Sequence, residues 1–324
     1  MRLSIIIPVY NVENYIGPCL KSIYRQGLAE DVFEVIIVND GSTDDSMQVV
    51  SHMMNVHPNI SVITNKESYG PSVSRNAGMD NALGDYVLFV DSDDMLMDNG
   101  LSVLLRKALD TRAEMIVADY VRIKDEEMGY SYDALLTDKH EIDKRGTDYY
   151  VDDYDPESGS FIWRILYRRE FLNENHIRLV PGVYYEDIPF LQECFLRAQR
   201  VVGVHLLYYI YRIRPRSCTY SFTMKNAMDY NTAIANSWKL LELENLPKRV
   251  RRRIRRNIRV FFNYATDCII GVFRTEKERR EIFRDLKRKV PGLRQVPYSY
   301  IRWRRFCKRV RVKVYSLRFT VYSL

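Results

Sequence analysis

Three carboxylates crowd four residues at Asp91-Ser92-Asp93-Asp94, directly after the apolar run Tyr86–Val90. Like charges at this spacing repel and call for compensation. Carboxylate oxygens suit a hard cation such as Mg²⁺ or Mn²⁺. A diphosphate leaving group needs such a cation, because charge builds on its bridging oxygen as it departs. The same residues could equally form an acidic turn that starts a helix. Tyr10, between the Pro8-Val9 end of one run and Asn11, could stack on a nucleobase. Asp40, after the run Phe33–Asn39, could accept hydrogen bonds from a base edge. An Asx-rich turn feeding a helix cap explains Asp40-Gly41-Ser42-Thr43-Asp44 as well. Arg75, inside Ser74-Arg75-Asn76-Ala77-Gly78, could pair with a diphosphate or with the aspartate cluster; the plainer reading is a surface arginine on a helix.

The elements that must position these groups follow from the apolar pattern. Leu3–Val9, Phe33–Asn39, Ile60–Thr64, Tyr86–Val90 and Met115–Tyr120 predict strands buried on both faces. Between them, Ile16/Leu20/Ile23/Tyr24, Met47/Val50/Met54 and Leu101/Leu104/Leu105/Leu109 recur at helical spacing. This alternation predicts an α/β fold: a Rossmann-like, mixed but mainly parallel sheet with helices on both faces. Ligands of such sheets bind beyond the carboxyl ends of the strands, where Tyr10, Asp40 and the aspartate cluster fall. Residues 122–160 predict an irregular, lid-like insertion. Patterning returns with a helix over Phe190–Ala198 and strands over Val201–Tyr211, and from Lys225 the chain reads as basic and helical.

Four motifs now stand in a fixed order: Ser4-Ile5-Ile6-Ile7-Pro8-Val9-Tyr10-Asn11, Val38-Asn39-Asp40-Gly41-Ser42-Thr43-Asp44, Ser74-Arg75-Asn76-Ala77-Gly78 and Asp91-Ser92-Asp93-Asp94. In that order they resemble the family 2 glycosyltransferases of bacterial surface-polysaccharide assembly, over roughly residues 1–220. The resemblance implies the GT-A fold, a nucleotide-sugar donor and inversion at the anomeric carbon. It implies that Tyr10 and Asp40 contact the base, that Arg75 and Asp91 lie near the diphosphate and ribose, and that Asp93, with Asp91, ligates Mn²⁺ or Mg²⁺. Tyr184-Tyr185-Glu186-Asp187-Ile188-Pro189-Phe190 resembles the family's Glu-Asp motif. That match makes Asp187 the catalytic base and Glu186 an acceptor-orienting group, although acids in a first helical turn before Pro189 are expected from capping alone. The candidate donor residues are thus Pro8, Tyr10, Asn11, Asp40, Arg75, Asp91, Ser92 and Arg216, the last from an arginine-serine segment similar to one in this family. Trp163 could stack on an acceptor sugar or belong to the core. His205, in an apolar run, reads as core.

Charge divides the chain. Residues 225–324 carry 27 Lys and Arg against 8 Asp and Glu, a balance of +19, while residues 1–224 balance at −12. We therefore expect a GT-A domain over 1–224, with nucleotide-sugar binding in 1–120 and the acceptor side in 121–224, and a basic helical region over 225–324. The basic segments Arg249–Phe262 and Ile301–Val314 interleave bases with apolar residues, which suits an anionic membrane surface. No recognition module for nucleic acid accompanies them. Five scattered cysteines form no C-x-x-C pair, and no run is long enough to span a bilayer. These features and the absence of a signal-peptide pattern lead us to expect a cytoplasmic protein, peripheral on the inner membrane face. The family resemblance implies a UDP-sugar as the default donor and a glycan or lipid-linked hydroxyl as the acceptor. Two other classes stay open at this point: an inactive nucleotide-sugar-binding protein on the same fold, and a sugar nucleotidyltransferase. The second would want a glycine-rich phosphate loop that Pro8-Val9-Tyr10-Asn11 does not provide.

Overall fold

The computed structural model describes residues 1–137, 140–156, 160–214 and 223–294. Its strands are β1 (Leu3–Val9), β2 (Phe33–Asn39), β3 (Ile60–Thr64), β4 (Tyr86–Phe89), β5 (Met95–Leu96), β6 (Met115–Lys124), β7 (Leu135–Leu136), β8 (Ile142–Lys144), β9 (Ile165–Arg168) and β10 (Val201–Ile213). Its helices are α1 (Ile16–Ile23), α2 (Ser46–Met54), α3 (Pro71–Asn81), α4 (Gly100–Thr111), α5 (Gly146–Asp152), α6 (Arg169–Glu174), α7 (Asp187–Arg197), α8 (Met224–Lys239), α9 (Lys248–Val272) and α10 (Glu276–Lys289).

One mixed sheet runs β3-β2-β1-β4-β9-β6-β10-β5, with β7 and β8 also paired to β10. Its four longest ladders are parallel. β9 enters between β4 and β6 antiparallel to both. Residues alternate faces along a strand, and β1 shows the consequence. Leu3, Ile5 and Ile7 join the core formed with α1, α2 and α4. Ile6 faces the other way, where a Cβ added to Gly78 of α3 would lie 2.3 Å from its Cγ2. Phe89 pairs with Ile6 in register and shares its face. Phe190 of α7 packs edge-on against Phe89 and Tyr167, so α3 and α7 cover the same side of the sheet. Gly78→Val should therefore force α3 off the sheet, at a cost of about 1–3 kcal/mol. A urea midpoint equal to wild type would show that the contact yields freely.

Several expectations need correction. Leu109 and Met54 are exposed; Val50 is buried as expected, and Ala108 is buried where Leu109 was expected. The 122–160 segment is not irregular throughout: β6 continues to Lys124, and α5 lies within it. Gly146 lets α5 approach closely, since a Cβ there would sit 2.2 Å from the Phe195 carbonyl, and Tyr149 stacks on Phe195. The seven residues of α5 are too few for periodicity to reveal. The region read as strands over Val201–Tyr211 is one long strand with register shifts near Leu207.

The chain divides into two compact units: Met1–Gly182 with Glu186–Ser217, and Val183–Tyr185 with the segment from Cys218 on. In the second, α8, α9 and α10 are helical as the sequence predicts. Val250, Ile254, Ile258, Phe261 and Phe262 form the buried stripe of α9. Arg252, Arg255, Arg256 and Arg259 lie exposed on its other side. Among the described residues no helix is long and apolar enough to cross a membrane.

Candidate active site

The polar ends of β1 and β2 are stapled to each other. Asn11, at a positive φ of 51°, accepts from the Thr43 N–H through Oδ1 at 2.8 Å. Ser46 Oγ accepts from the Val12 N–H at 2.8 Å, and Asp44 from the Glu13 N–H at 3.0 Å. Pro8 is partly exposed inside β1, while Tyr10 stands 51% exposed, free to offer its ring face. Asp40 is buried and faces the segment 65–74. It accepts from Asn65 Nδ2 (2.7 Å), Ser68 Oγ (2.7 Å), the Tyr69 N–H (3.1 Å), the Gly70 N–H (2.8 Å) and Ser74 Oγ (3.2 Å). Burial pushes its pKa up, but these hydrogen bonds outweigh that and hold it below the usual value. In this conformation Asp40 shapes the wall beside Tyr10, and both its oxygens are engaged by the protein.

Arg75 is the hub. It rises from α3, only 7% exposed, and donates through Nη2 to Asp91 at 2.6 Å and through Nη1 to Glu186 at 2.7 Å. Burial disfavours its charge, but Asp91 and Glu186 more than restore it. Its Nε finds no partner among the described residues. Three motifs separated in sequence by up to 111 residues thus meet on one guanidinium. Glu186 is also buried, which raises its pKa, and Arg75 opposes the rise.

The aspartate cluster splits by role. Asp94 points inward, accepting from Tyr209 Oη (2.8 Å) and the Arg212 N–H (2.8 Å). Burial, then Asp93 and Asp91, push its pKa well up. Tyr209 Oη in turn accepts from the Asp91 N–H at 3.1 Å, which fixes the turn. Ser92 is buried beside it. Asp93 meets Arg214 at 2.5 Å; burial and the charge of Asp91 raise its pKa, and Arg214 resists. Arg212 and Arg214 both lie over the Tyr15 ring.

Asp187 opens α7 next to Glu186 and is partly exposed. Although the residue is partly exposed, its carboxyl is closed in by protein; that desolvation, then the Glu186 charge, push its pKa up to about 8 against the pull of Arg75. A carboxylate so poised takes a proton readily near neutral pH, as a general base must.

Among the described residues no group of three or more His, Cys, Asp or Glu is placed to hold a metal ion. Asp91 and Asp93 nonetheless offer the carboxylate oxygens that a hard cation takes, as two of the ligands it would need. They are two carboxylates close enough that Asp91 raises the pKa of Asp93, and each is now balanced by an arginine.

Of the two readings of Trp163, the core one fits the structure and the acceptor one does not. Trp163 is 3% exposed and stacks on Tyr209 (4.1 Å) and Phe161 (4.7 Å), with Tyr120 edge-on. No sugar can reach its face; it backs the tyrosine that holds Asp94. His205, expected in the core, is instead partly exposed and 3.1 Å from Asp119. Arg216 lies outside the described residues. The residues missed were Arg212, Arg214 and Tyr209. Arg212 and Arg214 stood in the arginine-serine segment, of which only Arg216 was a candidate; Tyr209, inside the long strand β10, had no signal of its own.

Residues 4–174 match the sequence profile of glycosyl transferase family 2. The chain is 32% identical over 239 residues to Glycosyltransferase GlyA of Streptococcus pneumoniae, covering 69% of this chain and 32% of that protein. It is 30% identical over 228 residues to the uncharacterized glycosyltransferase EpsJ of Bacillus subtilis, covering 70% and 65%. The matched part thus spans about a third of one relative and just under two thirds of the other. The crystal structure of S. aureus TarS 1–349 with UDP-GlcNAc superposes with a TM-score of 0.72 at 21% identity, covering 90% of this chain and 82% of that one. The chain belongs to family 2 of the glycosyltransferases, and its fold is GT-A.

Proposed function

We propose that this chain transfers a hexosyl or N-acetylhexosaminyl unit from a nucleoside-diphosphate sugar, by default a UDP-sugar, to a hydroxyl of a glycan or lipid-linked acceptor. The setting is bacterial surface-polysaccharide assembly. The observation that carries the reading is Arg75, which ties the donor-side Asp91 to the Glu186-Asp187 pair on α7. That UDP-GlcNAc occupies TarS adds support for a uridine donor.

In this reading Tyr10 stacks on the base, and Pro8, Asn11 and the loop tied down by Asp40 frame it. Asp91 and Ser92 lie at the ribose and diphosphate, and Arg75 donates to the diphosphate through its unpartnered Nε. Mn²⁺ or Mg²⁺, held by Asp93 and Asp91, would supply charge neutralisation at the leaving diphosphate. Glu186 orients the acceptor. Asp187 accepts the proton of the acceptor hydroxyl as its oxygen bonds to the anomeric carbon. The anomeric C–O bond breaks on the opposite face, its electron pair leaving with the nucleoside diphosphate, and configuration inverts.

Calorimetry with UDP, GDP and CDP, each with and without Mn²⁺, tests the donor site. UDP should bind with Mn²⁺ present, and Asp93→Ala should remove the metal-dependent part of the affinity. Failure of every nucleotide to bind would overturn the reading, and unchanged binding in the variant would take Asp93 out of the metal site.

The exposed arginines of α9 support a peripheral position on an anionic membrane. A basic side chain near such a surface is worth about 1 kcal/mol, so four should add about 4 kcal/mol. The full chain should float with vesicles containing phosphatidylglycerol, and less so when Arg252, Arg255, Arg256 and Arg259 are all replaced by Gln. Equal flotation on purely zwitterionic vesicles would refute an electrostatic attachment.

A further inference from the structure

A cavity of about 260 Å³ opens on the side of the sheet covered by α5 and α7. It lies entirely within the first unit and takes no part in the chemistry above. Its apolar lining comes from Val117, Ile165, Leu191 and Phe195, with the edges of Tyr149 and Tyr154. Its polar groups are Asp119, Asp153, Asp155, Arg164 and His205. Asp119 is held in place by His205 Nδ1 at 3.1 Å and Arg164 Nη2 at 3.6 Å. Gly203 keeps the floor open, since a Cβ there would stand 3.2 Å from Tyr149 and 3.3 Å from Ile142.

The chemistry narrows the occupant. Drug-sized ligands occupy pockets of about 300–1,000 Å³, so this cavity fits something smaller, on the scale of one ring. Three carboxylates stand against Arg164, His205 and the Lys144 that pairs with Asp153 at 2.9 Å, so no surplus of positive charge favours phosphates or uronates. Asp119, Asp153 and Asp155 do not converge on a cation, because among the described residues no group of three acidic, histidine or cysteine side chains is so placed. What remains is a neutral ring carrying hydroxyls. Carboxylates accept from those hydroxyls, Arg164 and His205 donate to them, and the tyrosines and Leu191 meet the C–H faces.

We propose that this cavity is a second saccharide subsite, which holds one neutral pyranose unit of the acceptor glycan apart from the reacting one. The inference rests on the transferase reading and deepens it. Leu191 and Phe195 lie one and two turns beyond Asp187 on α7, about 6 and 12 Å along the helix axis. A glycan with one unit in the cavity would be anchored within a few sugar lengths of the base.

The test uses the full chain and ligand-observed saturation-transfer NMR with the methyl glycosides of glucose, galactose, mannose and N-acetylglucosamine. Saturating UDP and Mn²⁺ keep the donor site filled. At least one glycoside should receive saturation, and its signal should fall at least fivefold in both Asp119→Asn and His205→Ala. Thermal melts confirm that each variant is folded, and either folded variant alone decides. No transfer to any glycoside in wild type, or an undiminished signal in the folded variants, would overturn the subsite. UDP calorimetry on the same preparation reports separately on the donor site, so failure of the transferase reading is recognised independently.

Discussion

Asp187→Asn should lower sugar transfer about 10²–10⁴-fold, the usual worth of a positioned general base. Donor affinity should stay within about twofold, because the amide keeps the shape of the carboxyl and only the proton acceptor is lost. The pH profile makes the assignment sharper. Burial and the neighbouring Glu186 push Asp187 up to about 8, and only its ionised form can accept the hydroxyl proton. Initial rates under kcat/KM conditions should therefore rise with pH up to about 8 and then level off. The variant should lack this rise. The same shift has a cost to the fold. A carboxyl whose pKa lies above its ordinary 3.8 when folded weakens the native state as it ionises, over the window from that value to about 8. Asp187→Asn should thus be at least as stable as wild type at pH 8, where wild type bears the buried charge, while being nearly inactive. Wild-type turnover in the variant would remove Asp187 from catalysis, and a flat wild-type profile would remove its raised pKa from the mechanism.

Why the strands could be read from the sequence while Trp163 was left between acceptor and core is a matter of range. Strands β1, β2 and β3 were legible to the residue, because uninterrupted β-branched runs have few other places to go in a two-sided sheet. Asp91 and Asp40 were legible as strand-end acids for the same reason. What pattern cannot show is where a side chain at such an end turns. Asp40 is occupied by groups 25 to 34 residues away, on a segment with no periodicity of its own. Asp94 and Asp93 are adjacent, yet one turns to buried Tyr209 and the other to Arg214, across 115 and 121 residues. Trp163 lies on a short 3₁₀ turn, where neither a helical nor a strand period predicts which way the ring faces. Its stack is set by Tyr209 on β10, and the antiparallel insertion of β9 that brings the two together has no local signature.

The web around Arg75 explains why two sequence-distant acidic motifs can be held close without a metal, and it sets the second large effect. Asp91 and Glu186 share one guanidinium, at 2.6 and 2.7 Å, in a site only 7% open to water at the arginine. Arg75→Met keeps much of the volume and leaves two carboxylates uncompensated. Breaking a buried pair in this way costs about 3–5 kcal/mol. The loss should depend on pH in a definite direction. Glu186 is already raised by burial, with Arg75 holding it down. Without Arg75 it rises further, so the variant regains stability as pH falls and Glu186 takes up its proton, and is weakest above neutrality. Adding Glu186→Gln to Arg75→Met should recover part of the stability by removing one stranded charge, with non-additivity that reports the coupling. It should not recover UDP affinity, since the donor to the diphosphate is still missing. Urea midpoints at pH 5 and pH 8 for Arg75→Met, Glu186→Gln and the double variant, with UDP calorimetry alongside, separate the two roles. An Arg75→Met midpoint equal to wild type at both pH values would mean that Arg75 holds nothing together. Restored UDP binding in the double variant would mean that it touches no phosphate.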